Sequence, residues 1–105
     1  MKIALVTSCL AGVAHSKMAA TALKKESEKR GHQIVIEEQG GHKVNVKLTQ
    51  EDVDSADIVI IAKMISISGK DRFKNKPILD VSVNTAVRNP VSIIDQAEEL
   101  LKQQG

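Results

Sequence analysis

The chain has 105 residues, 42% of them apolar, and a formal net charge of +2. That length suits one domain closing a single core; the small charge, with one Phe and no Trp or Tyr, leaves no basic, aromatic-bearing surface for nucleic acid. One cysteine allows no internal disulfide and falls short of a zinc set, so no metal or cofactor and a reduced, cytoplasmic setting are expected.

Residues 2–8, KIALVTS, are mostly apolar without clean alternation, the pattern of a strand buried on both faces. From Ala14 to Arg30 the period changes. Met18, Ala19, Ala22 and Leu23 fall on one face, with Lys17, Lys24, Lys25 and Glu28 elsewhere, which predicts an amphipathic helix stopped by Gly31. Residues 32–39 form a second strand, and 40–47 a polar loop with at most a short extended piece. Thr49 with Asp52 has the spacing of a capping pair for a short helix. Residues 56–63, ADIVIIAK, read as a third buried strand, 69–76 as a turn and short helix, and 77–83 as a fourth strand. Asn89-Pro90 then opens a last helix with Ile93, Ile94, Ala97, Leu100 and Leu101 on one side.

Strands alternating with helical segments imply right-handed crossovers. The expected fold class is α/β: a single doubly wound domain over residues 1–105, with a central four-stranded parallel sheet flanked by helices. No signal peptide is visible. The run DIVIIAKMISI is broken by Lys63, and neither it nor the N-terminal run approaches the roughly 20 apolar residues of a bilayer span. A soluble protein without direct membrane insertion is expected.

In such sheets ligands bind outside the carboxyl ends of the strands, where the winding reverses. Cys9, Leu10, Ala11, Gly12, Val13, Ala14, His15 and Ser16 occupy the loop after the first strand and run into a helix N-terminus. Free N–H groups and the helix dipole favour an anion there, and a thiol so placed ionises more easily. Gly12 lets the loop curl its amides around a tetrahedral oxyanion. Ser8 and Ser16 are candidate hydroxyl donors, and His15 and Lys17 candidate positive charges.

A thiol, five intervening residues, then Arg and Ser/Thr is the phosphate loop of cysteine phosphatases. Here the spacing is kept, with Cys9 followed after five residues by His15 and Ser16, but the arginine is absent. Histidine cannot copy the guanidinium fork that holds two phosphoryl oxygens. The loop is built to receive a phosphoryl group on sulfur yet lacks the main piece of an efficient phosphatase, which is the profile of a carrier.

These residues resemble the fructose-type (fructose–mannitol family) IIB component of the bacterial phosphoenolpyruvate-dependent sugar phosphotransferase system. Members read Cys-Pro-Thr-Gly-Ile-Ala-His-Thr at the phosphorylation loop, and Cys9 to Ser16 matches at the cysteine, glycine, alanine and histidine. Met18-Ala19-Ala20, EEQG at 37–40, residues 48–62 and residues 72–83 continue the likeness along the chain. Departures are Leu10 and Ala11 for the proline and threonine, Ser16 for the second threonine, and Lys63 where an acidic residue is usual.

The resemblance implies a relay. A phosphohistidine of a IIA component phosphorylates Cys9, and the phosphocysteine passes the group to fructose or a fructose-like sugar bound in the membrane IIC component. It implies amides of residues 10–16 as the cradle, His15 and Ser16 assisting, a monomer, and transient presence at the inner face of the membrane. Arg72, His32 and His42 are read as surface residues. Two rivals stand beside this: a small cysteine-dependent phosphatase or arsenate-reductase-like enzyme, and a non-catalytic α/β binding module with an incidental thiol.

Overall fold

The computed structural model describes the chain outside residues 10–13, 41–42, 47, 65–66, 68 and 105, and outside the side chains of residues 9, 14–16, 40, 43–46 and 104. Among the described residues ten elements follow one another: β1 (Lys2–Cys9), α1 (Ala14–Lys29), β2 (Gln33–Gly40), β3 (Lys43–Val46), α2 (Gln50–Ser55), β4 (Ile58–Lys63), a 3-10 turn (Lys70–Phe73), β5 (Ile78–Ser82), α3 (Val83–Arg88) and α4 (Pro90–Gln104). The sheet order is β3-β2-β1-β4-β5. The four expected strands are mutually parallel. The fifth, β3, turns back antiparallel on the end of β2, with an irregularity between Glu38 and Gln39.

Strand alternation splits the core into two layers. Ile3 and Leu5 of β1, with Ile58 and Ile60 of β4, pack under α1, α3 and α4 through Leu23, Val83, Ile93 and Ile94. Ala4 and Val6, with Val59 and Ile61, pack under Leu48, Val53 of α2 and Phe73 of the 3-10 turn. Both faces of the sheet are therefore covered, which is why these strands read as continuous apolar runs.

Local chemistry sets the helix ends. Gly31, at φ 80°, ends α1: its N–H donates to the Glu28 carbonyl at 3.0 Å and the His32 N–H to the Ser27 carbonyl at 2.9 Å. This is a Schellman closure, which favours glycine in the left-handed position. The predicted Thr49–Asp52 pair is a full capping box on α2. Sequence reading passed over α3; Ser82 caps it by accepting from the Thr85 N–H at 3.1 Å. The apolar face assigned to α1 also shifts. Ala19, Ala20 and Leu23 are buried, whereas Met18 is 53% exposed and lines an open groove beside Val87 of α3. Arg30 ties the end of α1 to α4, donating to Glu26 at 2.7 Å, Asp95 at 2.8 Å and Glu98 at 3.0 Å. Its pKa is raised by those partners, Glu26 first.

Candidate functional site

β1 is the central strand. From it the chain passes through α1 to β2 on one side, then through β3 and α2 to β4 on the other. The winding thus reverses between β1 and β4, and their carboxyl ends border the crevice where such sheets take ligands. At that edge the Met64 N–H donates to the Ser8 carbonyl at 2.7 Å, Ser8 lies in register with Lys63, and Cys9 pairs with Gly40 of β2.

Cys9 is the last residue of β1, and Ala14, His15 and Ser16 open the 16-residue helix α1, whose first turn holds no acidic residue. Leu10, Ala11, Gly12 and Val13, the expected centre of the cradle, lie outside the described residues, as do the side chains of Cys9, Ala14, His15 and Ser16. Lys17 is exposed on α1. Ser8 is buried, at 1% exposure. By alternation it shares the face of Ala4 and Val6, opposite the one that packs against α1.

Thr7 faces the α1 side with Ile3 and Leu5 and is fully buried. Its Oγ1 is the one buried side-chain polar atom without a hydrogen-bond partner among the described residues.

On the opposite face a charged network braces the same edge. Glu37, 1% exposed, accepts from both terminal nitrogens of Arg72 at 2.9 Å, from the Gln39 amide at 2.6 Å and from the Leu48 N–H at 2.9 Å. Burial alone pushes the carboxyl up, but the hydrogen bonds from Arg72, Gln39 and Leu48 together outweigh it and hold Glu37 below the ordinary carboxylate range. The Arg72 Nε also donates to the Gly69 carbonyl at 2.8 Å. Arg72, read from sequence as a surface residue, is instead an internal tie between β2 and the connection after β4. Beside it Lys63 meets Asp80 at 3.0 Å and Lys70 approaches the same oxygen at 3.7 Å. His32, also read as surface, is half-buried and bonds Glu98 at 2.7 Å; His42 lies outside the described residues. A groove of about 490 Å³ runs between α1 and α3, lined by Lys17, Met18, Thr21, Ala22, Lys25 and Val87. No described helix is long and apolar enough to cross a membrane, and no described cluster of His, Cys, Asp or Glu has the makings of a metal site.

Residues 4–103 match the family described as "PTS system, Lactose/Cellobiose specific IIB subunit". The chain belongs to the PTS IIB family. Within it, the relatives lean to the fructose type. The PTS system fructose-like EIIB component 2 of Escherichia coli K12 is 41% identical over 102 residues, 97% of this chain and 96% of that protein. The PTS system fructose-specific EIIABC component of Bacillus subtilis is 36% identical over 96 residues, 91% of this chain but only 15% of that longer protein. Among solved structures, a predicted fructose-specific IIB from Escherichia coli superimposes with a TM-score of 0.90 at 29% identity, covering 95% of this chain and 88% of that one. The resemblance to fructose-type IIB components is borne out, and with it the reading as a IIB phosphocarrier of a sugar phosphotransferase system over a phosphatase.

Proposed function

We propose that Cys9 is the phosphoryl carrier of this IIB component, taking the group from a phosphohistidine of a IIA component and giving it to fructose or a fructose-like sugar held by a membrane IIC component. The observation that carries the reading is the position of the chain's only cysteine. It ends the central strand at the reversal of winding, a few residues before a long helix with no acid in its first turn. The sugar class rests on the names of the full-length relatives, and the IIA and IIC partners on a relative named as an EIIABC component. The chain works at the cytoplasmic face of the membrane, where IIC presents its sugar.

The ionised sulfur attacks phosphorus, and the S–P bond forms as the P–N bond to the donor imidazole breaks. In the second step a sugar hydroxyl attacks phosphorus and loses its proton to solvent, the P–S bond breaks and the thiolate returns. Sulfur needs no dedicated base once ionised. Phosphoryl transfer depends chiefly on positioning and charge stabilisation, which amides of residues 10–16 supply in both directions, with His15 and Ser16 assisting. Hydrolysis is slow for want of an arginine fork at position 15.

Incubation with a phosphoenolpyruvate-driven relay and candidate IIA proteins, read by intact mass and peptide mapping, tests this. Cys9→Ser abolishes acceptance, and His15→Ala slows it. Phosphate found on His15, His32 or His42 in place of Cys9 overturns the reading.

A further inference from the structure

The end of β1 buries two hydroxyl side chains, Thr7 and Ser8, directly before Cys9. Of these, Thr7 is anomalous. It is 0% exposed, and its Oγ1 finds no hydrogen-bond partner among the described residues. A buried hydroxyl without an acceptor is costly, and valine has nearly the same shape and the same liking for a strand without that cost. A hydroxyl kept in such a place calls for an acceptor that the described residues of the resting chain do not supply.

The surroundings indicate where that acceptor arises. Thr7 shares its face with Ile3 and Leu5, which pack beneath α1. Its lateral neighbours in register are Glu38 of β2 and Ala62 of β4. The crossover from a parallel strand runs its helix back along the sheet, so α1 begins at the end of β1 that Thr7 occupies. The hydroxyl therefore lies in the layer between sheet and helix, two residues before the thiol, at the edge where an anion is to be received. Ala62, the neighbour on the β4 side, offers no polar side-chain atom.

We infer that Thr7 is a positioning residue for phosphoryl acceptance: its hydroxyl donates to an acceptor that arises only when Cys9 carries the phosphoryl group. The inference rests on Cys9 as the carrier. It makes the orphaned hydroxyl a device that raises the free energy of the unphosphorylated state and lowers that of the phosphorylated one.

Wild type, Thr7→Val and Thr7→Ser are equilibrated with phosphorylated IIA, and the phosphorylated fraction is read by intact mass. Urea unfolding of the unphosphorylated forms runs alongside. Thr7→Val unfolds at the same or a higher urea midpoint than wild type, yet its acceptance equilibrium falls roughly threefold to tenfold, the worth of one hydrogen bond. Thr7→Ser, which keeps the hydroxyl, restores it. A purely structural threonine moves only the unfolding curve, so equal acceptance by wild type and Thr7→Val overturns the inference, as does a Thr7→Val protein that is less stable with acceptance unchanged. Should Thr7→Val fail to fold, Thr7→Ser against Thr7→Ala makes the same comparison. Wild type that accepts no phosphoryl group on Cys9 removes the carrier reading and this inference together; acceptance on Cys9 that Thr7→Val leaves unmoved removes the inference alone.

Discussion

Replacing Arg72 by alanine is expected to cost about 3 kcal/mol, at the low end of the range for breaking a buried ion pair because Arg72 itself is 19% exposed. The loss falls on Glu37. Its carboxylate is 1% exposed and, among the described residues, keeps the Gln39 amide and the Leu48 N–H once the guanidinium is gone. A domain of this size is held by roughly 5–15 kcal/mol, so the variant gives up a large share of its stability. Urea unfolding should show a lower midpoint with an unchanged slope, and the thermal midpoint should drop by roughly 12 °C or more. The pH dependence gives a second reading. In wild type the Glu37 pKa lies below its ordinary 4.5, so its stabilisation is present above that pH and is lost as pH falls through the folded-state value. In Arg72→Ala, burial is no longer outweighed and the pKa moves up. The gap between variant and wild type is then widest near neutrality and narrows in acid, as the stranded carboxylate takes a proton. Arg72→Lys, which keeps the charge without the fork, should recover part of the loss. A cost below about 1 kcal/mol, typical of an exposed pair, or a gap independent of pH, would refute the account of Glu37 as a buried charge held by Arg72.

Gly69 sits at φ 74°, and a Cβ there meets the Arg72 Nε at 2.8 Å, whereas Gly31 at φ 80° has nothing within 4 Å. Gly31→Ala should cost only the left-handed penalty of about 1–2 kcal/mol; Gly69→Ala should cost more in the same thermal melt, and a smaller loss would mean that Arg72 is not held in place. Ile60, fully buried between α1, α4 and the sheet, should cost about 2–5 kcal/mol as Ile60→Ala by urea unfolding, with phosphoryl acceptance by the folded fraction retained.

The parallel strands were readable because burial on both faces leaves continuous aliphatic runs, as in Ile58 to Ala62. Helix ends were readable where a cap writes itself in sequence, as at Thr49–Asp52 and Gly31. β3 was harder: Lys43-Val44-Asn45-Val46 is only four residues long and half polar, and its pairing depends on β2 lying beside it. α3 was missed because Val83 follows a strand without a break, and only Ser82 with Thr85 marks the turn of the chain. The Cys9 motif was legible as a local string. The Glu37–Arg72 tie was not, since a glutamate in a strand declares neither its burial nor a partner 35 residues away. Thr7 was equally silent, for an orphaned hydroxyl exists only once the layers close over it.

The central place of β1 also shapes how the molecule is made. Ile3 lies in register with Ile34 and with Ile58, and the two neighbours emerge during synthesis one after the other. β1, α1 and β2 can close first as one crossover unit. β4 must then be brought across the chain to the open side of β1, and contacts so distant in sequence slow a fold more than local ones do. Until that pairing forms, the carboxyl end of β1 has a partner on one side only, and the crevice between β1 and β4 does not exist. The nascent chain therefore carries Cys9 from the start but closes the crevice beside it only when β4 has joined the sheet.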